Sequence, residues 1–251
     1  MIRLPDDHPL VAWAKRRQPG GSVRRVVWWH LMHALCFLWF WPCYRFRAFH
    51  SKRIPTTGPV LLLANHQSFL DPIIVGLPSS HRQFHAMARA TLWNNRTVAR
   101  LIDSLNAIPV DQEASDLKAI RSCVDVLKAG HALLVFPEGS RTPDGAVHGF
   151  EQGTALLIRR AKPTVVPVAI EGSFDAWPRG RKLPRPTGRI AVMYGEPVSA
   201  DELLAMKPDA MLDELRGRVE DMRQELADTL RRHEPDRYPD TAAPRLLAPS
   251  A

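Results

Sequence analysis

The chain is poor in cysteine and tyrosine, with three of each in 251 residues, and no two cysteines stand in a Cys-x-x-Cys spacing. Cys36, Cys43 and Cys123 are odd in number, and the first two lie in an apolar stretch. They read as buried thiols of a reducing compartment. A helix would set Cys36 and Cys43 about 10 Å apart, where bridged α-carbons lie within about 7 Å, which argues against a disulfide. The sequence also lacks a G-x-S-x-G, a glycine-rich phosphate loop and a dinucleotide fingerprint, and its ten histidines form no His-x-x-x-His beside acids. Those gaps count against a serine hydrolase, a nucleotide-binding fold and a metal enzyme, so neither a cofactor nor a metal is expected. Internal repeats are absent as well.

The length supports one sizeable α/β domain with its own hydrophobic core. The net charge is +8, but it is unevenly placed: 8 Lys/Arg against 2 Asp/Glu in residues 1–50, 10 against 8 in 51–150, and 16 against 16 thereafter. The excess therefore sits beside the long apolar stretch Val26 to Phe46. A cationic collar around an apolar segment suits an anionic lipid surface, where each basic residue contributes about 1 kcal/mol, and no nucleic-acid partner is expected.

No small-residue cleavage site follows Val26 to Phe46, so the stretch is not a removable signal peptide. His30, His33, Pro42 and Arg45 interrupt it. Trp28 and Trp41, expected at interfaces, are separated by about 20 Å of helix against a hydrocarbon core of about 30 Å. The spacing favours a helix that dips into one leaflet over a full span, with a soluble core helix as the plain alternative. The organisation expected is a basic leader over 1–25, a membrane-associated helical segment over 26–50, a catalytic domain over 51–233 and a loose tail over 234–251.

Short apolar runs bounded by turn residues predict strands at Val60 to Ala64, Gln83 to Ala88, Ala132 to Phe136, Val165 to Ile170 and Ile190 to Tyr194. Ala107 to Asp111 contains Pro109 and predicts an edge strand or a strand end. Helices are predicted from Pro72 through Leu77, from Trp93 to Leu101, from a Ser115 cap through Leu127 to Gly130, and along the apolar stripe Met211 to Leu230. Strand and helix alternate, which implies a mainly parallel mixed sheet flanked by helices. Residues 177–189 carry Arg179, Arg181, Lys182, Arg185 and Arg189 and predict a basic loop.

Three of these strands end in polar residues: His66 after the first, Glu138-Gly139-Ser140-Arg141 after Phe136-Pro137, and Glu171-Gly172-Ser173 after Ile170. Open α/β sheets place ligands at such strand ends. His66 and Asp71 are five positions apart. A histidine backed by a carboxylate is held in one tautomer and can take a proton from a hydroxyl near neutral pH.

The ordered set NHQSFLD at 65–71, FPEGSRT at 136–142 and VPVAI at 166–170 resembles the glycerolipid acyltransferases of the 1-acylglycerol-3-phosphate O-acyltransferase (PlsC) type, over about residues 50 to 200. The resemblance implies transfer of a fatty acyl group from acyl-CoA or acyl carrier protein, as co-substrate, to the hydroxyl of a lyso-lipid acceptor. It assigns His66 as the base and Asp71 as its support, with backbone N–H groups stabilising the oxyanion. It places Glu138, Gly139, Ser140 and Arg141 around the acceptor, Arg141 gripping a phosphate, Arg89 standing for the family's lysine and Pro167 forming a wall. The active site is expected on the cytoplasmic side of the membrane. Asn106, Gln112 and Glu151 depart from the family's usual glycine, arginine and basic residue. Losing two cations leaves the acceptor open between 1-acylglycerol-3-phosphate, which would give phosphatidic acid, and another lyso-lipid such as a lyso-aminolipid. An inactive membrane scaffold of the same fold is the non-enzymatic alternative.

Overall fold

The computed structural model describes residues 8–17, 22–110 and 117–233. A short helix, α1 (Pro9–Arg17), precedes a long one, α2 (Val23–Tyr44), which begins where the Ser22 hydroxyl accepts from Arg25 N at 3.3 Å. That cap satisfies an amide that has no partner in the first turn. The chain then runs β1 (Arg47–Phe49), β2 (Val60–Ala64), α3 (Asp71–Gly76), β3 (Phe84–Arg89), α4 (Arg96–Ser104), β4 (Ala107–Val110), α5 (Leu117–Lys128) and β5 (Ala132–Val135). It finishes with α6 (Gln152–Ala161), β6 (Thr164–Glu171), α7 (Ser173–Ala176), β7 (Ala191–Tyr194), α8 (Ala200–Leu204) and α9 (Pro208–Arg231).

The strands form one sheet in the order β1-β7-β6-β2-β5-β3-β4. All neighbours are parallel except β6 and β7, so the sheet is mainly parallel and mixed. β2 is central and wholly buried, Leu61 lying between Leu133 of β5 and Val165 of β6. The period of two divides its side chains between two cores. Leu62 and Ala64 join Val166, Val168 and Leu134 against Ile74 and Val75 of α3 and Trp29, Phe40 and Tyr44 of α2. Leu61 and Leu63 face Cys123 and Leu127 of α5, Leu157 and Ile158 of α6, and Leu212, Leu215 and Val219 of α9.

β4, with Pro109, is an edge strand, where a missing N–H breaks no ladder bond on the open side. The helix expected at Trp93 to Leu101 is split instead. A 3-10 turn covers Ala90–Asn94, and α4 begins after Asn95, whose Oδ1 accepts from Thr97 N and Val98 N at 3.0 and 3.2 Å. α6 and the three-residue β1 are elements the periodicity did not announce. Asp111, Gln112, the Ser115 cap and the tail 234–251 lie outside the described residues.

α2 is not a free rod. Trp29 packs edge-on against Phe84 at 5.6 Å, Trp28 Nε1 donates to Ser104 Oγ at 2.9 Å, and the Tyr44 hydroxyl donates to Arg185 O at 2.7 Å. His33 Nε2 pairs with Leu77 O. On its other side Val27, Leu31, Leu35, Leu38 and Trp41 are exposed, Leu38 to 70 % and Trp41 to 60 %. These positions recur every three or four residues, so the helix has one face in the core and one apolar face outside it.

Candidate active site

Asn65 fixes where the chain leaves β2. Its side chain accepts from Ile170 N at 2.7 Å and donates to Ile170 O at 2.9 Å, fastening the strand end to β6. The next residue, His66, thus enters the space above the carboxyl ends of β2, β5 and β6. Its ring stacks on Phe136, the residue after β5, with centroids 4.0 Å apart.

The chain then turns back sharply, and Asp71, first residue of α3, is what it turns around. Asp71 Oδ2 accepts from His66 Nδ1 at 2.8 Å, from Gln67 N at 2.6 Å and from Ser68 N at 2.7 Å. Its Oδ1 accepts from the Ser173 hydroxyl at 2.7 Å. The carboxylate is fully buried, and these donors replace the water it has lost. The bond to Asp71 places the imidazole proton on Nδ1. Nε2, which has no hydrogen-bond partner among the described residues, is left as the proton acceptor. The His66 side chain keeps 19 % of its surface exposed, enough to be approached.

Glu138 follows β5 and faces the same turn from the other side. Its Oε1 accepts from His66 N at 2.8 Å and its Oε2 from His148 N at 3.2 Å. Burial pushes its carboxyl up to about 7 against the opposing pull of those two N–H donors. Thr142 N donates to His66 O at 2.7 Å, so the loop 138–142 grips the histidine backbone at both its N–H and its C=O. Gly139 makes the bend at φ 69°, and a β-carbon there would meet Glu151 Cγ at 3.4 Å. Ser140 is exposed at the tip of this loop.

Arg141 lies over the Phe69 ring at 3.5 Å from its centroid, and Phe69 in turn touches Trp177 at 5.3 Å. Its Nη1 is buried and has no hydrogen-bond partner among the described residues. Burial, then repulsion from Arg89 and Arg179, lowers the Arg141 pKa from its ordinary value. A guanidinium that has lost water, has an unused donor and has two cations for neighbours is a site for an anion. Arg89 reaches this region from the end of β3, exposed. Pro167 is placed differently: it is buried mid-strand, paired with Leu63, and its carbonyl accepts from Gly195 N at 2.8 Å. Among the described residues no group of three or more His, Cys, Asp or Glu is placed to hold a metal ion.

Motif spacing marked Gln67 and the polar step Glu171-Gly172-Ser173, but not their junction with Arg223 in a buried polar set behind the pair. Ser173, Gln67, Glu171 and Arg223 are all nearly inaccessible. A signal for two of them was available: Glu171 closes an apolar strand, and Arg223 sits four residues past Val219 in the apolar stripe of α9. A charge in a buried register implies a buried partner.

Asn106, where the family's glycine is expected, has φ 61°. Asparagine tolerates this left-handed conformation, so the departure meets the backbone requirement that a glycine would meet.

A family model described as Acyltransferase matches residues 46–171. The chain is similar to a 1-acyl-sn-glycerol-3-phosphate acyltransferase of Bacillus subtilis (strain 168), 23% identical over 184 residues that cover 72% of this chain and 89% of that one. It is 26% identical to one of Streptococcus pneumoniae (strain ATCC BAA-255 / R6), covering 76% and 69%. A chloroplastic relative of Arabidopsis thaliana is 24% identical over 74% of this chain, which spans about half of that longer protein, 52%. In fold, the chain resembles the crystal structure of the 1-acyl-sn-glycerophosphate (LPA) acyltransferase PlsC from Thermotoga maritima, with a TM-score of 0.70 at 22% identity over 86% of each chain. The family model covers half of the sequence and includes all three motif strands, so the chain belongs to the Acyltransferase family.

Proposed function

We propose that the protein transfers a fatty acyl group from acyl-CoA or acyl carrier protein to the free hydroxyl of 1-acylglycerol-3-phosphate, giving phosphatidic acid, at the cytoplasmic side of a membrane. His66 Nε2 removes the acceptor's hydroxyl proton as that oxygen attacks the thioester carbonyl. The tetrahedral oxyanion collapses, the carbon–sulfur bond breaks, and the departing thiolate takes the proton back from the imidazolium. Asp71 keeps the ring in its tautomer and stabilises its charged form, as the aspartate of a serine triad does, with the acceptor's hydroxyl in the nucleophile's place. Arg141, with Arg89 and Arg179 near it, holds the acceptor's phosphate, and Glu138 and Gly139 shape the wall around it.

The observation that carries this reading is the His66 to Asp71 bond at 2.8 Å, with the carboxylate buried and Nε2 without a hydrogen-bond partner among the described residues. The similarity to 1-acyl-sn-glycerol-3-phosphate acyltransferases supports the substrate class, and an Arg141 donor without a partner among the described residues fits a phosphate. The donors are cytoplasmic solutes, which puts the site on that side. The test is thiol release from acyl-CoA and from acyl carrier protein, measured against a panel of lyso-lipid acceptors. Turnover with lysophosphatidate in the wild type, and its loss by about a thousandfold or more in a folded His66→Ala variant, is the expected result. Undiminished turnover in that variant would remove His66 as the base, and a preference for phosphate-free acceptors would remove the substrate assignment.

A further inference from the structure

Behind Asp71 the structure holds a hydrogen-bonded path that leads away from the open side of the site to α9. We infer that Ser173, at the start of α7, is a positioning residue for the His66–Asp71 pair, and that its hydroxyl is directed onto Asp71 by Gln67, Glu171 and Arg223. The inference rests on the reading of His66 as the base.

The direction of each bond follows from what each group can donate. Arg223 has only donors. Its Nη1 donates to Glu171 Oε2 at 2.9 Å, while its other nitrogens donate to Glu220 at 2.8 and 2.6 Å. Glu171 is completely buried, and Arg223, 5 % exposed, is its countercharge. An ionised carboxylate can only accept, so Gln67 must turn its amide nitrogen toward Glu171 Oε2, 3.3 Å away, and it gives its other N–H to Gly145 O at 3.0 Å. Gln67 Oε1 therefore points the opposite way, where it accepts from Phe174 N at 3.3 Å and lies 3.2 Å from Ser173 Oγ. The Ser173 hydroxyl thus meets two acceptors, Gln67 Oε1 and Asp71 Oδ1, and has one proton. Asp71 is the charged acceptor and the nearer one, at 2.7 Å. The proton goes there.

The consequence for Asp71 is specific. Its Oδ2 has three donors, His66 Nδ1 and two backbone N–H groups, whereas among the described residues Oδ1 is held by Ser173 alone. Without that hydroxyl one oxygen of a fully buried carboxylate is bare, and only the donors on Oδ2 are left to fix the carboxylate plane against Nδ1. Ser173 is fully buried, and its hydroxyl meets Asp71 and Gln67. It acts through Asp71, so its loss belongs in turnover and not in substrate affinity.

The experiment uses the full chain in detergent micelles with acyl-CoA and lysophosphatidate, reading thiol release and the melting temperature together. Ser173→Ala is expected to lower kcat about tenfold, the scale of one hydrogen bond to a charged group, with KM for both substrates within about twofold of wild type. Ser173→Cys fills nearly the same volume with a much weaker donor and is expected to lose as much as alanine. Ser173→Thr, which keeps the hydroxyl, is expected to recover most of the rate. If threonine does not fold, the alanine and cysteine pair still decides. Wild-type kcat in both, or recovery by cysteine alone, would make the hydroxyl irrelevant and overturn the inference, as would a loss that appears in KM. His66→Ala, assayed alongside, separates the two ideas: activity retained there sinks the base, whereas an inactive His66→Ala beside a fully active Ser173→Ala sinks only the role of Ser173.

Discussion

At Glu138 burial and hydrogen bonding pull against each other, and the outcome can be measured. Its carboxyl is raised to about 7, burial outweighing the His66 and His148 N–H donors. A carboxyl whose folded pKa lies above the unfolded value of about 4.3 binds its proton more tightly in the native state. Its contribution to stability is therefore greatest below that unfolded pKa and is lost as pH rises through about 7. Glu138→Gln removes the titration, so its melting temperature is expected to vary less with pH than the wild type's between about pH 4.5 and 7. Parallel curves for the two proteins would show that the carboxyl stays ionised and that the two N–H donors, not burial, set its charge. Glu138 was legible in the sequence because it follows an apolar strand at once, as His66 does. The meeting of Gln67 with Ser173 was not: both stand in stretches the sequence marks, but over a hundred positions apart, and β2 pairing with β6 brings them together. Spacing within a motif reports neighbours along the chain. It is silent about neighbours across the sheet.

The elements show the same division. β2, β5 and β6 were readable because a parallel strand covered on both faces is a continuous apolar run, and Pro109 announced an edge. α6 was hidden because its ten residues include Gly153 and carry Arg159 and Arg160 in the last turn, leaving a short apolar string, Ala155 to Ile158, without a resolvable period. For α2 the sequence posed the choice between spanning and dipping, and the packing bears on it. A helix with Trp29, Phe40 and Tyr44 in the domain core cannot be surrounded by lipid along its length. Its outward leucines are the part free to enter a leaflet. Replacing Leu31, Leu35 and Leu38 together by glutamate leaves the core face untouched and is expected to move the protein from sedimenting vesicles into the supernatant with its melting temperature nearly unchanged. Each buried leucine contributes about 1.5 to 3 kcal/mol, and the three added carboxylates also offset basic residues worth about 1 kcal/mol each at an anionic surface. Full retention on vesicles would place the anchor elsewhere. Deleting α2 outright would be a poorer test, since it would also strip one side of the core.

In the whole molecule the apolar face, the basic loop and the site are tied together by hydrogen bonds. Gly188 N donates to Cys43 O and Ile190 N to Tyr44 O, each at 3.0 Å, so the basic loop leaves from the carboxyl end of α2. At its other end Trp177 O accepts from the Ser68 hydroxyl at 3.0 Å, beside Phe69 and Arg141. A loop so fastened carries its exposed Arg179, Arg181 and Lys182, and Leu183 at 74 % exposure, between the helix and the entrance. Under the proposed function, a loop so placed would meet the headgroups of an anionic bilayer while its other end lies beside Arg141. Lys182 is the clean probe, because its side chain is exposed and makes no hydrogen bond or ion pair among the described residues. Lys182→Glu changes the loop by two charges, worth about 2 kcal/mol at the surface, and is expected to weaken binding to anionic vesicles roughly thirtyfold at low salt. Raising the salt should shrink that difference, because the Debye length falls to about 3 Å at 1 M. On neutral micelles, where no surface field acts, kcat and KM should match the wild type. An equal loss on neutral micelles would mean that Lys182 meets a substrate and not the membrane surface.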